Sequence, residues 1–253
     1  MSGHFLTDTG VLLGRSLRHI ARSPDTIITT AVMPIAMMLL FVYVFGGAIE
    51  TGGGAYVDYL LPGILTITIA MGISYTAYRL FLDLQGGIFE RFQSMPIARS
   101  AVLWAHVLTS VVATVISLTI VVGVALLMGF RSAAGVLEWL AVAGILVLLT
   151  LALTWVAVIA GLSARSVDGA SAFSYPLILL PFVSSAFVPT ESMPGPVADF
   201  AEHQPVTSIV NTVRNLFSGQ PVGTEIWIAL AWCLGILGLG YALSVLVYRR
   251  RTG

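Results

Sequence analysis

Apolar residues in this chain gather into long runs separated by short polar interruptions. Six runs stand out, at about 26–46, 60–82, 102–128, 138–162, 170–188 and 226–248. A helix crosses the hydrocarbon of a bilayer in roughly 20 residues. A span must also satisfy its own backbone polar groups, so the pattern predicts an all-α integral membrane protein with six transmembrane helices. The first run follows Arg15, Arg18 and Arg22 and lacks a small-residue cleavage site, which marks it as a span and not a signal peptide.

The interruptions carry their own periodicity. In residues 5–22, Leu6, Leu13, Leu17 and Ile20 share one helical stripe, Asp8, Arg15, Arg18 and Arg22 the opposite one, and Ser23 and Pro24 end the pattern. That predicts an amphipathic helix lying on the inner leaflet, its basic face toward anionic lipid. Between the second and third runs, the loop 83–100 places Ile88, Phe92 and Met95 at i, i+4 and i+7 beside Phe89. Glu90, Gln93 and Ser94 face away, and Pro96 stops the turn; this predicts a second, shorter amphipathic helix. The loop 189–225 contains Pro205, then Val206, Ile209, Val210 and Val213 on one face, closed by Gly219. It predicts short re-entrant or interfacial helices before the last span.

Composition agrees with lipid as the solvent. The chain is 57% hydrophobic and 9% charged, against about 25% charged in ordinary soluble domains. A formal net charge of +0 predicts no nucleic-acid partner. The lone Cys233 sits inside an apolar run and offers no disulfide framework.

Charge placement sets the orientation, because basic residues near span ends stay in the cytoplasm. With both termini inside, the inner side collects Arg15, Arg18, Arg22, Arg79, Arg91, Arg99, Arg165, Arg249, Arg250 and Arg251, and the outer side only Arg131 and Arg214. The loop 83–100 then faces the cytoplasm. The outer loop 189–225 carries Glu191, Asp199, Glu202 and Glu225.

Candidate chemistry is sparse. All twelve basic side chains are Arg, and a P-loop needs a lysine on the nucleotide phosphates, so no ATP site is expected in these residues. An ion-driven carrier leaves carboxylates or histidines within its spans. Here Arg79 and His106 lie near inner span ends, and the mid-span polar residues are Thr66, Thr68, Ser74, Thr114 and Ser117, hydroxyls suited to bonding their own helix backbone. His4, His19, His106 and His203 are scattered, which disfavours an intramembrane hydrolase, and no catalytic residue or metal ligand is expected. Rings of charge or a backbone filter, as a channel requires, are equally invisible.

Several motifs share one order and spacing: Pro34, then Phe45 and Gly46; YLLPGI at 59–64; GGIFERFQSMPIAR at 86–99; PLILLPFVSSAFVP at 176–189; SMP at 192–194; QP at 204–205; and Arg214 before Gly219. Over almost the whole chain they resemble the permease subunit of ABC transporters of the type-2 exporter class, in its daunorubicin-resistance and multidrug branch. Gln204 departs from the Asn more common there. The resemblance implies one permease domain, 1–253, in the bacterial cytoplasmic membrane, paired with a second copy or a close sister. Two nucleotide-binding ABC ATPase subunits beneath it would hold ATP and Mg, with no cofactor in this chain. It makes the loop 83–100 a coupling helix docked on the ATPase, with Glu90 and Arg91 as its central pair and Gly87, Phe89, Phe92, Met95, Pro96 and Arg99 beside them. Exported compounds would be hydrophobic or amphipathic drugs or antibiotics; export of an endogenous lipid or glycolipid is the alternative. Phe41, Phe45, Tyr75, Phe182 and Phe187 are the candidate apolar lining of the pathway.

Overall fold

The computed structural model describes residues 25–47, 55–86 and 99–252. Among them every regular element is helical. Helix α1, Asp25–Leu40, runs on into a π-helical turn, Phe41–Phe45. Then come α2, Tyr56–Gln85; α3, Arg99–Leu127; and α4, Val136–Ser163. Two short helices follow, α5, Val167–Ala172, and α6, Ser174–Leu179, the latter leading into a 3₁₀ turn, Leu180–Val183. A second 3₁₀ turn, Thr190–Ser192, precedes α7, Gly195–His203, and α8, Pro205–Phe217; α9, Glu225–Thr252, closes the chain's described part.

Four of these, α2, α3, α4 and α9, are long and apolar enough to cross a membrane. They correspond to the runs 60–82, 102–128, 138–162 and 226–248. The other two expected spans come out differently. The first contributes a shorter apolar stretch, Thr30–Phe45. The run 170–188 is no continuous rod: its helices are interrupted at Phe173, and Ser184 leaves helical geometry altogether at φ −144°, ψ 179°. Pro181 is the physical reason, since it lacks an N–H and its ring crowds the carbonyl one turn back. The Ser184 hydroxyl repairs the break by donating to the Pro181 carbonyl and accepting from the Ala186 N–H.

Helix α2 is the axis of the bundle. Of its most apolar stretch 78% is buried, against 33% for α3 and 17% for α9, so α2 is packed on nearly all sides while the other two present broad apolar faces outward. Isolated hydroxyls within the spans bond their own helix, Thr66 to the Gly63 carbonyl, Thr68 to Ile64, Thr150 to Leu146 and Thr154 to Thr150. That keeps these four donors from facing hydrocarbon unpaired. Aromatic packing joins α3, α4 and α9: the Trp155 ring meets Trp104 at 5.2 Å and Tyr241 at 4.9 Å, both edge to face.

The helix expected after Pro205 forms as α8. It buries Ile209, Val210 and Val213, and Gly219 at φ +65° ends it. The interfacial helix expected over 5–22 lies outside the described residues.

Candidate functional site

The end of the bundle where α2 begins is tied together by one arginine. Arg214, near the end of α8, donates from Nε and Nη2 to the Tyr59 carbonyl at 3.2 and 3.1 Å. Its Nη2 also donates to the Ser185 carbonyl at 2.6 Å, and Nη1 to Asn211 Oδ1 at 3.0 Å. The guanidinium carbon sits 3.8 Å from the centroid of the Tyr59 ring, within cation–π range. Ser185 Oγ donates to the same Asn211 Oδ1 at 2.6 Å. The Tyr59 hydroxyl donates to the Ser185 carbonyl at 2.9 Å and the Tyr56 hydroxyl to the Phe187 carbonyl at 3.1 Å.

Each part has a local cause. Leaving helical geometry at Ser184 strips residues 184–187 of regular backbone partners, so their carbonyls need donors from outside. Arg214 and the two tyrosines supply them at Ser185 and Phe187. Close approach is allowed by Gly63, where a methyl group would stand 2.6 Å from the Ala186 Cβ. Gln204, just before α8, donates from Nε2 to the carbonyls of Leu180 and Val183, fixing the other side of the break. Burial draws the Arg214 guanidinium below its ordinary pKa, yet it stays protonated, as arginine in proteins does. The motifs at 59–64, 176–189, 204–205 and 214, far apart in sequence, thus meet in one place.

Beside this knot lie four of the five aromatic candidates. Phe182 and Phe187 stack at 4.7 Å with planes 6° apart; Phe187 meets Phe41 at 4.8 Å, and Phe41 meets Phe45 at 5.5 Å. Phe187 is 3% exposed, whereas Phe182 is 38% and Phe45 42% exposed. The cluster is anchored at one ring and open at two. Tyr75 is not part of it: it lies about two-thirds of the way along α2, its ring 6.1 Å from Tyr78 and 5.8 Å from the Arg79 guanidinium.

The opposite end of α2 holds a pair that sequence reasoning missed. His106 Nε2 of α3 stands 3.3 Å from Asp83 Oδ2 of α2, both half-buried. The signal was available, since two ionisable residues near span ends on consecutive helices are candidates to pair. A cleft of about 530 Å³ opens at this end, lined by Phe81, Leu84, Gln85, Ala164 and Arg165. Of the expected coupling residues, Gly87, Phe89, Glu90, Arg91, Phe92, Met95 and Pro96 lie outside the described residues, and Arg99 opens α3. Among the described residues no group of His, Cys, Asp and Glu could hold a metal ion.

Residues 7–218 match the family described as ABC-2 type transporter. The daunorubicin resistance ABC transporter permease protein DrrB1 of Streptomyces coeruleorubidus is 28% identical over 244 residues, spanning 95% of this chain and 85% of its own. The probable doxorubicin resistance ABC transporter permease protein DrrC of Mycobacterium tuberculosis strain H37Rv is 26% identical over 254 aligned positions, covering 98% and 90%.

Proposed function

Because the chain belongs to the ABC-2 type transporter family, whose members here are permease components and not enzymes, we propose that it is the membrane half of an ATP-driven exporter of hydrophobic or amphipathic compounds, drugs or antibiotics among them. The observation that carries this is similarity running nearly end to end with drug-resistance permeases. Without lysine in these 253 residues there is no P-loop lysine, which supports an ABC ATPase as a separate subunit, binding ATP and Mg. In this reading two permease copies, or this chain and a sister, stand over two ATPase subunits. Similarity to permeases of bacteria supports a bacterial cytoplasmic membrane location, and the Arg distribution supports an orientation with both termini inside. The Asp83 end of α2 then faces the ATPase and the Tyr59 end faces out.

Within that frame the segment linking α2 to α3 is the coupling segment, with Glu90 and Arg91 central to it. The open rings of Phe45 and Phe182, backed by Phe41 and Phe187, supply an apolar surface next to a rigid outer knot, suited to a compound leaving through apolar surroundings. Tyr75, further along α2, would be met earlier on the same route. The lipid or glycolipid alternative uses the same machinery.

Daunorubicin accumulation in intact cells tests the proposal. Cells expressing this chain together with its companion ATPase are expected to accumulate less drug than cells expressing either alone. Equal accumulation in all three would contradict export of this class of compound.

A further inference from the structure

Helices α2 and α3 are consecutive in the chain and touch along a stripe of polar and small residues. At the Asp83 end stands the Asp83–His106 pair at 3.3 Å. Further along, Thr76 Oγ1 and Ser110 Oγ are 2.6 Å apart. Beyond them Thr114 packs against Gly72 so closely that a methyl there would come within 2.8 Å of its Oγ1. Residues 106, 110 and 114 recur every four positions, and 72, 76 and 83 fall on one face of α2, so the contacts form one line along both helices. From α3 the line passes on to α1, where Thr30 Oγ1 lies 3.1 Å from Ser117 Oγ.

Such a seam resists sliding. In lipid no water can replace a broken interhelical hydrogen bond, and small residues let the backbones close up. A hydrogen bond such as the one between His106 and Asp83 is also stronger in apolar surroundings than in water. Moving α2 against α3 would break these contacts together.

We infer that α2 and α3 form a rigid lever, zipped by Asp83–His106, Thr76–Ser110 and Gly72–Thr114, which carries a push at the Asp83 end to the Arg214 knot at the Tyr59 end. This rests on the permease reading above. Helix α2 has 30 residues, about 45 Å at roughly 1.5 Å per residue, enough to span the bilayer. Its far end is held by Arg214 through the Tyr59 carbonyl, so a displacement of α2 is delivered to the broken segment at residues 184–187. The lever gives the bundle's most buried helix a task beyond packing.

The test is to lock the lever. Thr76→Cys and Ser110→Cys, introduced with Cys233→Ser, put two sulfurs where hydroxyls 2.6 Å apart now stand, within reach of a disulfide. Vesicles containing the complex with its ATPase are oxidised, and ATP-driven daunorubicin uptake and ATP hydrolysis are both measured before and after reduction. A rigid lever forms the disulfide readily, and both rates stay within about two-fold of the reduced complex. Failure to cross-link, or an uptake loss of roughly ten-fold that reduction restores, overturns the lever and shows α2 and α3 moving against each other. If the parent without cysteines takes up no drug, the substrate proposal fails, and the lever is judged by whether locking leaves hydrolysis unchanged or abolishes it.

Discussion

Arg214 binds acceptors 155 and 29 residues away in sequence, at Tyr59 and Ser185, a convergence that no local pattern announces. The motif order pointed to Arg214 without showing its task, because its acceptors lie on separate elements and one of them, the Ser185 carbonyl, is freed only once the fifth apolar run breaks. Arg214→Lys keeps the charge but loses the fork and the stacking on Tyr59. It is expected to cost about 1–3 kcal/mol of stability through orphaned acceptors, read as a lower unfolding midpoint in detergent, with export reduced while membrane insertion persists. Unchanged stability and export would show that the knot is incidental. Glu90 lies outside the described residues, yet its place in the loop 83–100 gives a sharp contrast with Arg131. Arg131 contributes its backbone N–H to Asp58 Oδ1 at 3.0 Å, a bond that a side-chain change preserves. Export assays with the ATPase present should therefore show loss for Glu90→Ala and little change for Arg131→Ala. Wild-type export by Glu90→Ala would refute its coupling role.

Helices α2, α3, α4 and α9 were legible because run length alone decides whether a segment can cross a bilayer. The run 170–188 shows what that criterion cannot see, since an apolar composition fits a broken segment as well as a straight one. Its two prolines, Pro176 and Pro181, were the available signal, and Pro181 stands where the helix tightens into a 3₁₀ turn before the chain extends at Ser184. Apolar rings at 41, 45, 182 and 187 could be nominated from sequence, but their meeting depended on this break, and Tyr75 could not be separated from them without it. The fit of α2 against the broken segment turns on Gly63. Gly63→Ala forces a methyl to within 2.6 Å of the Ala186 Cβ and is expected to cost about 1–3 kcal/mol by overpacking. Gly144→Ala in α4, where nothing stands within 4 Å, serves as the control and should be tolerated. Equal unfolding midpoints for the two variants would mean that the approach of α2 to Ala186 is loose.

For the molecule as a whole, the Arg distribution predicts that residues 83–100 face the cytoplasm and 189–225 the outside. Single cysteines at Gln93 and at the exposed Glu202, each with Cys233→Ser, report on this through a membrane-impermeant thiol reagent in intact cells. Labelling is expected at 202 and not at 93; the reverse would invert the topology and place the coupling loop on the wrong side of the membrane. The central claim is that a separate ATPase powers this permease. Its most direct test is drug uptake by inside-out vesicles containing the purified complex. Uptake is predicted to start on addition of ATP and Mg, to continue when a protonophore collapses the pH gradient, and to be absent from vesicles holding this chain alone. Uptake driven by an imposed proton gradient without any ATPase would contradict the account and identify a secondary transporter instead.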